Sequence, residues 1–165
     1  MLKLCVFLSM LFMPLVFAQP LDELVKSGTG RMQIMFWPVY TAELYISQPQ
    51  YQKDQWPQAL KLTYLRDIKK QELIDATEDQ WQHIKLNHQQ QKQWLQQLAD
   101  IWPDIKQNDQ LTLFVSNDGS SQFYANGSLI GKIDDTEFGS AFLAIWLSER
   151  TSEPSLRKQL LGIKQ

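Results

Sequence analysis

The chain has 165 residues, 44% apolar and 12% aromatic, which suits one domain around a single core and is too short for two. Its 16 basic and 18 acidic residues, a formal charge of −2, provide no electrostatic footprint for nucleic acid or an anionic lipid surface. The one cysteine, Cys5, lies in the N-terminal segment, so thiol redox chemistry and disulfides are excluded from the rest of the chain.

Lys3, the apolar run from Leu4 to Phe17 and the Val16-Phe17-Ala18 end match the charged, apolar and small-residue parts of a secretory signal peptide. Residues 1–18 are expected to be removed, leaving a periplasmic or secreted domain at 19–165 with no membrane span. A membrane anchor is the alternative, but the run is shorter than the roughly 20 residues a span needs, and Pro14 interrupts it.

Beyond the flexible Gly28-Thr29-Gly30, the alternation of Met32, Ile34 and Phe36 with Gln33, Met35 and Trp37 predicts a strand with one buried face. Pro38 cannot donate to a ladder and marks an edge, bulge or turn before a second strand from Val39 to Ile46. Gln48 to Pro57 reads as a loop. A third strand follows from Ala59 to Leu65, with Leu60, Leu62 and Tyr64 on one side.

Around Lys69 the period changes toward 3.6: Leu73, Ala76, Trp81 and Ile84 fit one helix, and Trp94, Leu95, Leu98, Ile101 and Trp102 a second beneath a glutamine-rich surface. Trp102-Pro103 ends that pair, because a residue before proline is pushed out of the helical region. Gln110 to Val115, Gln122 to Ala125 and the stretch after Asn126-Gly127 make three meandering strands. Asn126-Gly127 is the strongest hairpin signal, since both residues accept the positive φ of a type I′ turn. Phe138 to Leu147 has no polar face and predicts a helix buried on most sides, and Pro154 starts a last one that carries Leu156, Leu160 and Leu161 inward up to Gly162. Strands, helices, strands, helices in that order predict an α+β fold: an antiparallel sheet of about six strands with the helices layered on one face.

Candidate chemistry is sparse. His83 and His88 stand five apart without a third ligand, so no metal site is expected, and no cofactor motif is present. The acidic pairs Glu78-Asp79 and Asp134-Asp135 read as solvated caps, and Ser120, Ser121 and Ser152 have no histidine partner for a triad. Arg150 and Arg157 flank Glu149, Glu153 and Pro154, suited to ion pairs that fix the junction of the last two helices or, alternatively, to an anion site. Arg31 with Tyr40, Tyr45 and Tyr64 on neighbouring strands has the forked donors and hydroxyls to hold a carboxylate or phenolate under an apolar layer. Composition alone favours the plainer reading, an arginine snorkelling at a strand end and tyrosines filling the core with wet tips, and both remain open.

Taken together, Gly28-Thr29-Gly30-Arg31, Val39 to Tyr45, Tyr64 to Ile68, Phe123 to Gly127 and Ile145 to Arg157 resemble the bacterial exported chalcone isomerase-like family, over roughly Ser27 to Gly162. The resemblance implies an open-faced β-sandwich with a ligand cleft between sheet and helices. Plant enzymes of this superfamily close a flavanone ring with an arginine, a threonine, a tyrosine, a lysine and an asparagine, while non-catalytic members bind fatty acids through an arginine and nearby hydroxyls. Arg31 matches the arginine, and Tyr40 stands where the plant strand has its threonine. Glu72, Asp75 and Asp79 fall at the tyrosine, lysine and asparagine places, and carboxylates there would oppose the developing phenolate charge. The expected function is therefore non-catalytic binding of a small apolar or acidic, fatty-acid-like ligand through Arg31 and Tyr40. The alternatives are an isomerase acting on a phenolic substrate and an envelope interaction module. A binding protein requires a cavity with an anion-holding group, left unfilled by Trp37, Trp81 and Phe142; an interaction module requires an exposed apolar patch.

Overall fold

A computed structural model describes residues 21–163, so the expected signal segment at 1–18 lies outside the described residues. Strands β1 (Val25–Ile34), β2 (Trp37–Ile46) and β3 (Gln58–Tyr64) precede helices α1 (Lys70–His83) and α2 (Gln91–Ile101). Strands β4 (Gln110–Val115), β5 (Ser121–Ala125) and β6 (Ser128–Ile133) follow, and helices α3 (Phe138–Leu147) and α4 (Pro154–Leu160) close the fold. The six strands form one antiparallel meander in the order β1-β2-β3-β4-β5-β6, and the expected α+β architecture is present. None of the helices among the described residues is long and apolar enough to cross a membrane.

The ladder register assigns the two faces of the sheet. Ala42 pairs with Leu62 and Gly30, Leu62 with Leu111, and Leu113 with Leu60 and Phe123, so one apolar row crosses the sheet beneath the helices. The opposite face carries Arg31, Thr41, Glu43, Lys61 and Thr63. There Glu43 is flanked by Lys26 and by Lys61, the latter at 2.5 Å. Burial would raise the Glu43 carboxyl, but the two ammonium groups outweigh it and hold it below its ordinary range.

The first hairpin differs from expectation. The chain reverses at Met35-Phe36, with Ile34 paired to Trp37 across a two-residue loop and Met35 at φ 56. Met32 faces inward, but the supposed buried alternation through Phe36 runs around a turn, and Ile34, Phe36 and Trp37 are exposed. A turn without glycine, asparagine or aspartate gave no local signal. Pro38 sits at an irregularity of the ladder, as its missing N–H requires. By contrast Asn126 (φ 49) and Gly127 (φ 84) form the expected turn.

Helix ends are satisfied by groups from elsewhere in the chain. The carboxylate of Asp104, just past α2, accepts the Lys70 N–H at the start of α1 (2.9 Å), and Ile68 and Ile105 form a two-way backbone bridge, so the α1–α2 pair is tied at its base. Helix α3 is buried over most of its length, as its lack of a polar face demands. Its carbonyls are met by Trp81 Nε1–H at Ala141 (2.9 Å), Thr151 Oγ1–H at Ile145 (2.7 Å) and Arg157 Nε–H at Leu147 (2.8 Å). Arg157 thus does fix the junction of the last two helices, through a carbonyl at the α3 C-terminus instead of a carboxylate.

The β4–β5 turn carries a pH-sensitive contact. Asp118 accepts from Ser116 Oγ (2.6 Å), Ser120 Oγ (2.7 Å) and the Ser120 N–H (2.9 Å), which together hold its carboxyl far below the usual carboxylate range. Stability from a lowered carboxyl is complete above the unfolded value of about 4 and lost as pH falls toward the folded one. The thermal midpoint should therefore drop once pH passes below about 4, and Asp118→Ala should make that drop shallower. Melting curves across pH check this; an unchanged slope in the variant would assign the acid sensitivity elsewhere.

Candidate functional site

Between the apolar row of the sheet and helices α1 and α3 lies a cavity of about 350 Å³. Leu60, Leu62, Leu111, Leu113 and Phe123 form its floor, Leu73, Ala76 and Thr77 of α1 and Phe142, Ile145 and Trp146 of α3 its walls. It persists because the large aromatics are committed elsewhere. Trp81 packs against Trp94 with its indole bound to Ala141, and Trp37 stands outside at the hairpin. Phe142 remains a wall, held by Trp102, Phe123, Phe138 and Trp146.

A few polar groups reach this space. Tyr40 and Tyr64, opposite each other on β2 and β3, pack edge to face with centroids 5.8 Å apart. Burial pushes the Tyr40 hydroxyl up to about 12, against the Trp146 Nε1–H donated to it at 2.9 Å and assisted by the Glu153 carboxylate. Burial pushes Tyr64 well above the usual phenol range, and Tyr40 adds to it. Both phenols therefore stay protonated at neutral pH, so each carries an O–H that can donate a hydrogen bond. Trp102 also lines the cavity, with a buried Nε1–H that has no partner among the described residues. That N–H has essentially no accessible surface, so it lies behind the lining and does not open into the cavity, and its unpaired state is a cost to the fold.

Charges border the cavity rather than fill it. Arg66, just beyond β3, is the guanidinium among the lining residues, exposed and 3.9 Å from Glu72 Oε2. Glu72 and Glu153 line the cavity too, whereas Asp75 and Asp79 are exposed and do not.

The two residues singled out from the sequence are not brought together. Tyr40 lines the cavity. Arg31 lies one register step from Met32, opposite Thr41, and its exposed side chain belongs to the outer face of the sheet. The period-2 alternation decides this: Gly30 and Met32 face the helices, so Arg31 cannot. The arginine beside the tyrosines is Arg66, which sequence reasoning missed although it stands two residues after Tyr64.

Other candidates resolve into structure. His88 stacks on Trp94 at 4.3 Å and meets Glu137 at 3.1 Å, while His83 is exposed in the last turn of α1. No group of three or more metal-ligating side chains occurs among the described residues. A second cleft of about 460 Å³ between the Gln48–Pro57 loop and helices α3 and α4 includes Tyr51, Arg150 and Arg157, but also Asp54 and Glu149. Arg157 donates its Nε–H to the Leu147 carbonyl, and neither arginine forms an ion pair among the described residues.

Comparison with known proteins agrees with this fold. The chain is 27% identical over 124 residues to an uncharacterised protein of Haemophilus influenzae, a match covering 75% of this chain and 61% of that protein. The fold of the Arabidopsis thaliana fatty-acid binding protein superposes with a TM-score of 0.68 at 12% identity, covering 85% of this chain and 87% of the plant one. Residues 18–162 match the chalcone isomerase-like family, and the chain belongs to that family.

Proposed function

We propose that this protein is a non-catalytic carrier of a small apolar ligand with one acidic or phenolic end. The observation behind it is the cavity itself: about 350 Å³, apolar on floor and walls, with the protonated phenols of Tyr40 and Tyr64 among its lining. Its volume is near the lower end of the roughly 300–1,000 Å³ of small-molecule sites. The fatty-acid binding protein of the same fold supports an aliphatic ligand.

Arg66 at the rim is the group suited to a carboxylate, taking the part first expected of Arg31. The charges argue against isomerase chemistry. Glu72 and Glu153 beside the cavity would oppose a phenolate or enolate developing there, and neither tyrosine is set up as a base. Export belongs to the same proposal and is supported by Lys3, the apolar run and Val16-Phe17-Ala18.

Calorimetric titration with a medium-chain fatty acid and with the corresponding alcohol tests the reading. Arg66→Gln should weaken the acid about fivefold and leave the alcohol unchanged, the modest size following from the exposure of the guanidinium. Ala76→Trp, which puts a ring over the cavity from a helix position, should weaken both. Absence of binding by the unmodified protein would end the proposal.

A further inference from the structure

The β1–β2 hairpin ends in four consecutive apolar residues that nothing among the described residues covers: Ile34 is 53% exposed, Met35 83%, Phe36 91% and Trp37 73%. Single exposed apolar residues are ordinary, but a contiguous apolar tip marks an interaction site. This one is also unfavourable locally. Met35 holds φ 56, a conformation that a long side chain resists, whereas the β5–β6 turn of the same sheet uses Asn126-Gly127. From Met32 to Ala42 there is no acidic or basic side chain.

The occupant of such a tip is read from its shape and surroundings. A two-residue turn is narrow and convex, suited to entering a fluid apolar phase more than to pairing with a flat protein patch. Tryptophan and phenylalanine favour the water–hydrocarbon boundary. Arg31, four residues before Met35 and exposed, makes no ion pair among the described residues. At about 3.3 Å per residue it stands roughly 13 Å from the tip, so it meets the phosphates when the tip lies about 5–10 Å into the interface. Ile34 both belongs to the exposed tip and lines the cavity, which joins the two apolar surfaces.

We propose that the β1–β2 hairpin docks this protein on a phospholipid bilayer, with Met35, Phe36 and Trp37 entering the interface and Arg31 on lipid phosphate. The attraction is apolar and so survives high salt, consistent with a chain whose net charge is −2. The purpose of docking, exchange of the cavity ligand with the bilayer, rests on the carrier reading. Docking itself does not.

The test places an environment-sensitive fluorophore on the full chain carrying Phe36→Cys and Cys5→Ser, mixed with phosphatidylcholine–phosphatidylethanolamine vesicles. The readout is taken at the hairpin because residues 4–17 are apolar and could hold the chain on vesicles by themselves. The label at position 36 is expected to shift to the blue and to be quenched by a spin label in the acyl region. A label introduced by Asn117→Cys, in the β4–β5 turn at the opposite end of the sheet, should stay in water. Met35→Asp, distant from the core, should abolish the shift at position 36. Three results overturn the proposal: a label at 36 that stays aqueous on vesicles, a shift that survives Met35→Asp, or a label already shielded without vesicles in a dimer. Fatty-acid titration without vesicles reports the cavity separately, so failure of docking and failure of the carrier reading are distinguishable.

Discussion

Replacing Phe123 by alanine is expected to cost about 3–5 kcal/mol of folding stability and to enlarge the cavity at its floor. Phe123 is almost wholly buried and holds edge-to-face contacts with Trp102 (5.6 Å), Phe138 (6.0 Å) and Phe142 (5.7 Å), so its removal deprives three rings at once. The sheet beneath is continuous in hydrogen bonds and the helices above are tied at their ends, which leaves little freedom to collapse into the void. Denaturant titration measures the loss. With a typical domain stability of about 5–15 kcal/mol the variant should still fold, so its ligand preference can be read as well. It should accept a bulkier acid than the unmodified protein. A cost below about 1 kcal/mol would mean that the floor relaxes, and the cavity would then not be a fixed feature of the fold.

Gly28→Ala should destabilise the protein by about 2–3 kcal/mol and loosen α4 from the sheet. In an open strand the same change would gain about 0.4–1 kcal/mol, because alanine restricts the unfolded chain. Here a Cβ would stand 2.0 Å from the Gln159 carbonyl oxygen and 2.5 Å from that of Leu160, and backbone at a helix end cannot rotate aside. The clash therefore wins. Gly30→Ala is the internal comparison: its Cβ would meet Leu156 Cδ1 at 2.4 Å and Gln159 Oε1 at 2.9 Å, side-chain ends that can move, so its cost should be smaller. Thermal melts rank the two, and amide exchange over Pro154–Leu160 shows whether α4 opens. Equal losses would show that the helix follows the strand as a unit and that the backbone contact is not decisive.

The element pattern was legible because it depends on local periodicity. Leu60, Leu62 and Tyr64 alternate along β3 with the polar side facing out, Asn126-Gly127 sets the β5–β6 turn, and α3 announced its burial by having no polar face. Each of those signals is carried within a few residues. The β1–β2 turn was misplaced for the same reason: Met35 and Phe36 carry the letters of a strand, and only their position at the end of a hairpin exposes them. Their apolar character, read first as burial, became the reason to propose a bilayer partner.

The site was legible in part. Tyr40, singled out as a hydroxyl on a strand near Arg31 and by the resemblance, does line the cavity, and the cavity itself follows from layering helices on a sheet. Arg31 was placed among the ligand contacts on chain proximity and resemblance, but one register step sends it to the outer face while Arg66, from the end of β3, stands at the rim.

Sequence by itself determined the family, the α+β order of elements and the facing of most strands, because propensity, turn chemistry and side-chain period act between near neighbours. Tertiary structure alone decided which arginine borders the cavity and that Trp81 and Trp37 leave that space open. Those facts depend on strand register and on helix contacts between residues far apart in the chain, and no local pattern encodes them.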